Sequence, residues 1–278
     1  MQQPNIYLKI GDEEEFNPAD CIKGLKYLGV ANESSSPQWT NLYQDYQGRD
    51  GSQFLGQTLA KRTVNEPFFL HFGQWQDFQL AKHEIYRLFA DREKVRVRTD
   101  VNPDKVYFGY VTPFDIAPLE DYSHEAKFTI PFDVPDGYRY SRYRSDAQPG
   151  EGQYGMDIAN DLMNYHFTSM SFRVYNASDI TIDPYYQSHD LRLLVTFEGN
   201  SCKVTNSATN TEWRYLKSCE GKQLLFDGKT LTTYENGKNV NVNTNYGYIS
   251  LKPGWNEITV SEASSIDITF SFPFIYVL

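Results

Sequence analysis

The stretch Asp77-Phe78-Gln79-Leu80-Ala81-Lys82-His83-Glu84-Ile85-Tyr86-Arg87-Leu88-Phe89-Ala90-Asp91 reads as an amphipathic helix. Phe78, Ala81, Ile85, Leu88 and Phe89 step by three and four, so they share one face, while Lys82, Arg87 and Asp91 populate the other. Asp77 is placed as its N-cap, with a carboxylate able to accept from unpaired backbone N–H groups of the first turn. No other stretch shows this period at length; Asp157–Met163 offers a short helical turn. A lone helix among strands decides the fold class of this half of the chain.

Working outward, the period changes from 3.6 to 2 on both sides. Downstream, Val95–Thr99 alternates, with Val95 and Val97 inward and Arg96 and Arg98 outward. Asn102-Pro103-Asp104 is a turn and Val106–Val111 returns. Ala126, Phe128, Ile130 and Phe132 alternate with Lys127, Thr129, Pro131 and Asp133 in a further strand. Upstream, Asn5–Ile10 is a half-buried strand, Asp12-Glu13-Glu14-Glu15 a solvated loop and Cys21–Val30 another strand. Ser-rich Ala31–Gln38 is a loop. Polar, aromatic Trp39–Phe54, with Arg49-Asp50-Gly51 as a turn, reads as an extended arm or hairpin. Gly56–Phe72 is β, with Pro67 marking an edge or a break. Residues 1–140 are therefore an α+β domain with one helix packed on antiparallel strands.

The other half has no helical period. Pro149-Gly150-Glu151-Gly152 lies in a polar stretch that reads as a linker over residues 141–164. From Phe167 onward about ten short strands recur at spacings of roughly eight to twelve residues. They include Ile180–Ile182, Leu191–Glu198, Glu212–Tyr215, Tyr246–Leu251 and Ile266–Phe272. Asp227-Gly228, Asn236-Gly237 and Pro253-Gly254 mark turns. Residues 165–278 form a β-sandwich domain, and the fold class is mainly β.

The bulk numbers agree. A chain of 278 residues suits two domains of roughly 100–150 residues each. The net charge of −10 is spread over both halves, which disfavours avid nucleic-acid binding because phosphates need neutralising. Cys21, Cys202 and Cys219 are too few for a disulfide framework and read as reduced thiols in packed strands. Met1–Asn5 does not open a signal peptide, and no apolar run nears the ~20 residues of a membrane span, so synthesis and solubility in a cytoplasm are expected.

Catalytic and metal-binding patterns are missing. His71, His83, His124, His166 and His189 stand at no metal-ligand spacing, and after His83-Glu84 the position of a second imidazole holds Arg87. There is no Cys-x-x-Cys, no nucleophile elbow and no phosphate-binding glycine loop, so neither enzyme activity nor a cofactor is expected. A glycosidase would need two carboxylates flanking a groove, and no pair among 36 acidic residues has priority. Tyrosine is abundant, at 21 residues, which suits either β structure or a binding surface. Tyr185, Tyr186 and Trp213 are candidate sugar contacts, and Trp255 is either a further one or a plug at a strand entrance.

The order of elements resembles the distal tail (Dit) protein family of siphophages, the long-tailed, non-contractile phages. The likeness is carried by Asp50-Gly51-Ser52 running into Gly56–Phe72, by the helix and Val-Arg-Val-Arg hairpin of Asp77–Val111, and by Leu251-Lys252-Pro253-Gly254-Trp255-Asn256-Glu257-Ile258-Thr259-Val260 with the closing strand Ile268–Phe270. The resemblance implies a hub at the tail tip or baseplate, with residues 1–140 in a hexameric ring and residues 165–278 as a galectin-like sandwich. Its implied partners are further copies of itself, in one ring or two stacked, the tail tube protein, a tail-associated lysin or fibre protein, and receptor-binding or accessory baseplate proteins. DNA would pass through the lumen unbound, past acidic side chains of the first half, and no membrane is involved. Trp39, Tyr43 and Tyr46 are candidate oligomer contacts. The sugar-binding run of true galectins is absent; the nearest string is His189-Asp190-Leu191-Arg192. The alternative is an adhesion module that recognises host cell-surface glycans.

Overall fold

A computed structural model describes residues 3–29, 37–90, 92–147 and 164–277. Two compact units divide the chain, Met1–Arg139 with Val277–Leu278 and Tyr140–Tyr276. The Pro149–Gly152 stretch and the expected turn at Asp157–Met163 lie outside the described residues.

In the first unit the strands are β1 (Ile6–Ile10), β2 (Leu25–Tyr27), β3 (Trp39–Asp45), β4 (Ser52–Leu59), β5 (Arg62–His71), β6 (Val95–Thr99), β7 (Asn102–Val111) and β8 (Glu125–Val134). The helices are α1 (Pro18–Cys21) and α2 (Trp75–Arg87). Six strands run in the order β1-β6-β7-β8-β5-β2, with β3 and β4 forming a separate two-stranded hairpin. Leu8, Phe68, Leu70, Val97, Phe128 and Phe132 point into one core, and α2 covers it with Phe78, Ala81 and Ile85. The helix starts earlier than the sequence suggests. Gln74 precedes its first residue, and Asp77 sits in the first turn, where Oδ2 accepts the Gln74 N–H at 3.0 Å. Cys21 ends α1 and is exposed, not packed in a strand, while Cys202 and Cys219 are buried free thiols.

Pro67 does not break β5. Its carbonyl accepts from Leu28 N–H at 3.0 Å, one residue past the last residue of β2. The N and O of one strand residue face the same side, so the missing donor falls where the neighbouring strand runs out. The acidic loop is also more than solvated. Glu15 holds Arg96 Nη2 and Arg98 Nη2 at 2.6 Å each, which pins both arginines of β6, and Arg98, expected to face outward, is buried. Glu66 is fully buried, and the phenols of Tyr27 and Tyr107 each donate to it at 2.6 Å. Burial, then the Glu66 charge, holds the Tyr107 phenol well above its ordinary range.

The chain passes between units within β9 (Arg139–Ser141). The described start of the expected linker is part of the second unit: Ser145 N–H donates to Phe272 O at 2.7 Å, and Arg144 Nη1 pairs with Asp190 at 2.9 Å. Next come β10 (His166–Phe167), β11 (Ser171–Asn176), β12 (Arg192–Glu198), β13 (Cys202–Asn206), β14 (Thr211–Tyr215), β15 (Leu224–Asp227), β16 (Thr232–Glu235), β17 (Lys238–Asn239), β18 (Gly254–Ser261), β19 (Ser265–Ser271) and β20 (Ile275–Tyr276), with a four-residue helix α3 (Pro184–Gln187). The strands β10 to β19 form two antiparallel sheets, β10-β19-β12-β15-β16-β17 and β11-β18-β13-β14. Phe172 of β11 meets Phe270 of β19 at 6.0 Å between ring centroids, and Phe197 of β12 meets Tyr215 of β14 at 6.2 Å. Such contacts make the pair a sandwich. Two expected strands are absent: Ile180–Ile182 and Tyr246–Leu251 contribute only an isolated bridge between Ile182 and Leu251.

Candidate functional site

The hairpin β3–β4 is the most unusual surface of the first unit. Trp39 pairs with Leu59 at its base and Asp45 with Ser52 near its tip. Gly48 and Gly51, at φ of +78° and +80°, let the chain reverse between the strands. Every residue of β3 is exposed, and β4 is exposed apart from half-buried Gly56 and Leu59. Neither face therefore rests on a core. Trp39, Leu42, Tyr43, Tyr46, Phe54 and Leu55 are all 44–57% exposed, and the main side-chain support is an edge-to-face pair of Tyr43 and Phe54 at 5.8 Å. A lone two-stranded ribbon is marginal in water, and exposed apolar clusters of this kind mark association surfaces. All three predicted oligomer contacts, Trp39, Tyr43 and Tyr46, lie on or beside this ribbon.

The predicted sugar contacts separate. Trp213 is fully buried in β14, and its Nε1–H donates to Thr233 Oγ1 at 3.1 Å across the sandwich. A ring with no exposed face cannot stack on a sugar, so Trp213 is a core residue. Trp255 is partly exposed instead of plugging the sandwich; it packs between Tyr175, at 5.1 Å, and the Arg173 guanidinium, at 4.7 Å. Tyr185 and Tyr186 protrude from α3, the second 82% exposed. Tyr185 lies parallel to Tyr248, within 12° and at 6.1 Å, and edge-on to Tyr186 at 5.1 Å. Tyr248 was missed in the sequence because it read as a strand residue. Asp183 caps α3, with Oδ1 accepting from the N–H groups of Tyr185 and Tyr186.

His189, the start of the galectin-like string, is buried. Its Nε2–H donates to Pro273 O at 3.0 Å, and burial lowers its pKa to about 4. Asp190 is engaged by Arg144, Arg192 and Lys229. That string is therefore structural. Among the described residues no three His, Cys, Asp or Glu side chains come together in a way that could hold a metal ion, and no helix is long and apolar enough to cross a membrane.

The family described as phage tail protein RIFT-related domain matches residues 23–134. No curated protein matches the chain. Among solved structures, the Dit protein (gp 19.1) of SPP1, described as a paradigm of the hub adsorption apparatus in phages infecting Gram-positive bacteria, has a TM-score of 0.68. It is 13% identical, over 97% of this chain and 99% of that one. A chain of the phage P2 baseplate in its activated conformation with Ca is 10% identical over 98% of each chain, with a TM-score of 0.45. The resemblance to siphophage distal tail proteins is borne out by the domain within the first unit and by a fold shared along nearly the whole chain.

Proposed function

We propose, for a chain of the siphophage distal tail (Dit) kind in its N-terminal domain and its fold, a structural role as a hub at the distal end of a phage tail or in its baseplate. Residues 1–140 build a ring, of six copies on the family's pattern, and residues 165–278 form a galectin-like sandwich that presents a surface to neighbouring proteins. The tail tube protein, a tail-associated lysin or fibre protein, and receptor-binding or accessory baseplate proteins are the partners this role calls for. The molecule then resides at the virion tail tip after synthesis in the host cytoplasm. DNA crosses the lumen without being held, which the net charge of −10 favours. The role needs no catalysis, in keeping with the structural character of the neighbours.

The observation that carries this reading is the β3–β4 hairpin. A head-to-tail ring needs two different, complementary patches on each copy, and a ribbon exposed on both faces with six large apolar side chains supplies one. The test is light scattering on the full chain after size exclusion, with negative-stain imaging. A closed ring is expected, and a variant with Trp39→Ser, Tyr43→Ser and Tyr46→Ser should be monomeric with unchanged circular dichroism. A monomeric parent protein at micromolar concentration, or an unaltered ring in the variant, would overturn it.

A further inference from the structure

We propose that Tyr185, Tyr186 and Tyr248, with the Asp183 carboxylate, form a binding site for a neutral saccharide on the second unit. This goes beyond the hub role and does not depend on it. α3 has only four residues, too few to be stable by itself, yet side chains fasten it at both ends. Asp183 caps it, the Asp183 N–H donates to Gln187 Oε1 at 2.9 Å, and Gln187 Nε2 donates to Thr181 O at 2.8 Å. The loop bearing Tyr248 is equally fixed. Asn245 Oδ1 accepts from the N–H groups of Arg214 and Gly247 at 3.0 Å each. A Cβ on Gly247 would run into the backbone carbonyl oxygen of Glu212, so only glycine fits there. Two rigid loops thus bring three phenols together while leaving Tyr185 and Tyr186 in solvent.

The geometry selects the ligand. Parallel rings of Tyr185 and Tyr248 offer a flat step, which suits the apolar C–H face of a pyranose; a quaternary ammonium group would need ring faces converging on one point. Asp183 uses Oδ1 for the helix cap, and no hydrogen bond to Oδ2 forms among the described residues. That oxygen is an acceptor for sugar hydroxyls and a repulsive charge towards uronic or sialic acids. Burial, then the Asp183 charge, raises the pKa of the Tyr248 phenol, which like any tyrosine hydroxyl is a donor at neutral pH. Amphipathic rings on a preformed frame bind with little entropic cost.

The test is saturation-transfer NMR on the full chain with glucose, galactose, rhamnose and N-acetylglucosamine oligomers, and with sialyllactose and glucuronate as anionic counterparts. At least one neutral oligomer should receive saturation. Its affinity should fall about tenfold in Tyr186→Ala and in Tyr185→Ala, the loss expected for one aromatic contact. Asp183→Asn keeps a competent helix cap and should also weaken the neutral sugar while relieving exclusion of the anionic ones. No transfer from the whole panel, equal affinity in the tyrosine variants, or preference for the anionic sugars would overturn the site. Ring assembly, read separately by light scattering, should be the same in all these variants.

Discussion

His189 shows how one side chain can make the sandwich sensitive to acid. Its neutral ring donates through Nε2–H to the Pro273 carbonyl, while Nδ1 is buried with no hydrogen-bond partner among the described residues. Protonation would place a second donor and a charge where no described residue accepts the new hydrogen bond. Burial opposes that charge most strongly, and Arg144 and Lys229 add to it; together they outweigh the Pro273 hydrogen bond and Asp190, which favour the charge, leaving a pKa of about 4 against the ordinary 6.5. The unfolded chain therefore binds more protons between these values. Stability from this group is complete above about pH 7 and falls as pH drops toward 4, by something on the order of 3 kcal/mol in total. Thermal melts at pH 7.5 and 4.5 should show a larger acid loss in the parent protein than in His189→Gln, where the titrating ring is gone. Equal acid losses in the two proteins would show that His189 carries no part of the effect. In the sequence His189 stands only as lacking a metal partner and as the start of an imperfect galectin-like string. Its burial depends on Pro273, which lies 84 residues away, so no local pattern announces it.

At the scale of elements, the Pro253-Gly254-Trp255-Asn256 run gains a physical meaning. Asn256 is fully buried at the start of β18. Its Oδ1 accepts from Lys252 N–H at 2.9 Å and from Asn206 Nδ2 at 3.0 Å, and its Nδ2 donates to Lys252 O at 2.8 Å and Gly254 O at 3.0 Å. One amide thus closes the turn and ties it to β13. Asn256→Ala removes all of these bonds and strands several backbone groups, so a loss of about 2–4 kcal/mol is expected in urea unfolding; a change below about 0.5 kcal/mol would assign the turn to Gly254 alone. The same chemistry explains why Tyr246–Leu251 is not a strand despite its composition. Ser250 O accepts from Asn206 Nδ2 and Thr209 Oγ1, and Leu251 O from Asn176 Nδ2. Side-chain amides take the place of a neighbouring strand. Alternation made β1, β6, β8 and most of the sandwich legible, because each buries one face of a sheet. It could not reveal α3, whose four residues span barely one turn, or tell Trp213 from Tyr186, since both are aromatics in polar surroundings and only the pairing of β13 with β14 puts one of them inside.

The charge and the apolar ribbon make opposing demands on the whole molecule, and salt separates them. Each copy carries a formal net charge of −10, so bringing copies together costs electrostatic energy that grows with every subunit added. The ribbon works the other way, because six partly exposed apolar side chains gain by leaving water and owe little to ion pairing. Its flanking charges, Asp45, Arg49 and Asp50, are too few and too mixed to steer assembly by attraction. Raising salt shortens the screening length from about 30 Å at 0.01 M to about 3 Å at 1 M. It should therefore weaken the repulsion and leave the apolar contact intact or strengthened. The proposed ring should be more stable to dilution at 0.5 M sodium chloride than at 0.02 M, with the midpoint of dissociation moving to lower protein concentration in sedimentation velocity. An assembly held by complementary charge would shift the opposite way and come apart in salt, which would sink the ribbon as the main contact even if rings were present. The Trp39, Tyr43 and Tyr46 serine variant separates the two causes further, since it keeps the charge of −10 while losing the apolar gain, and it should stay monomeric at both salt concentrations.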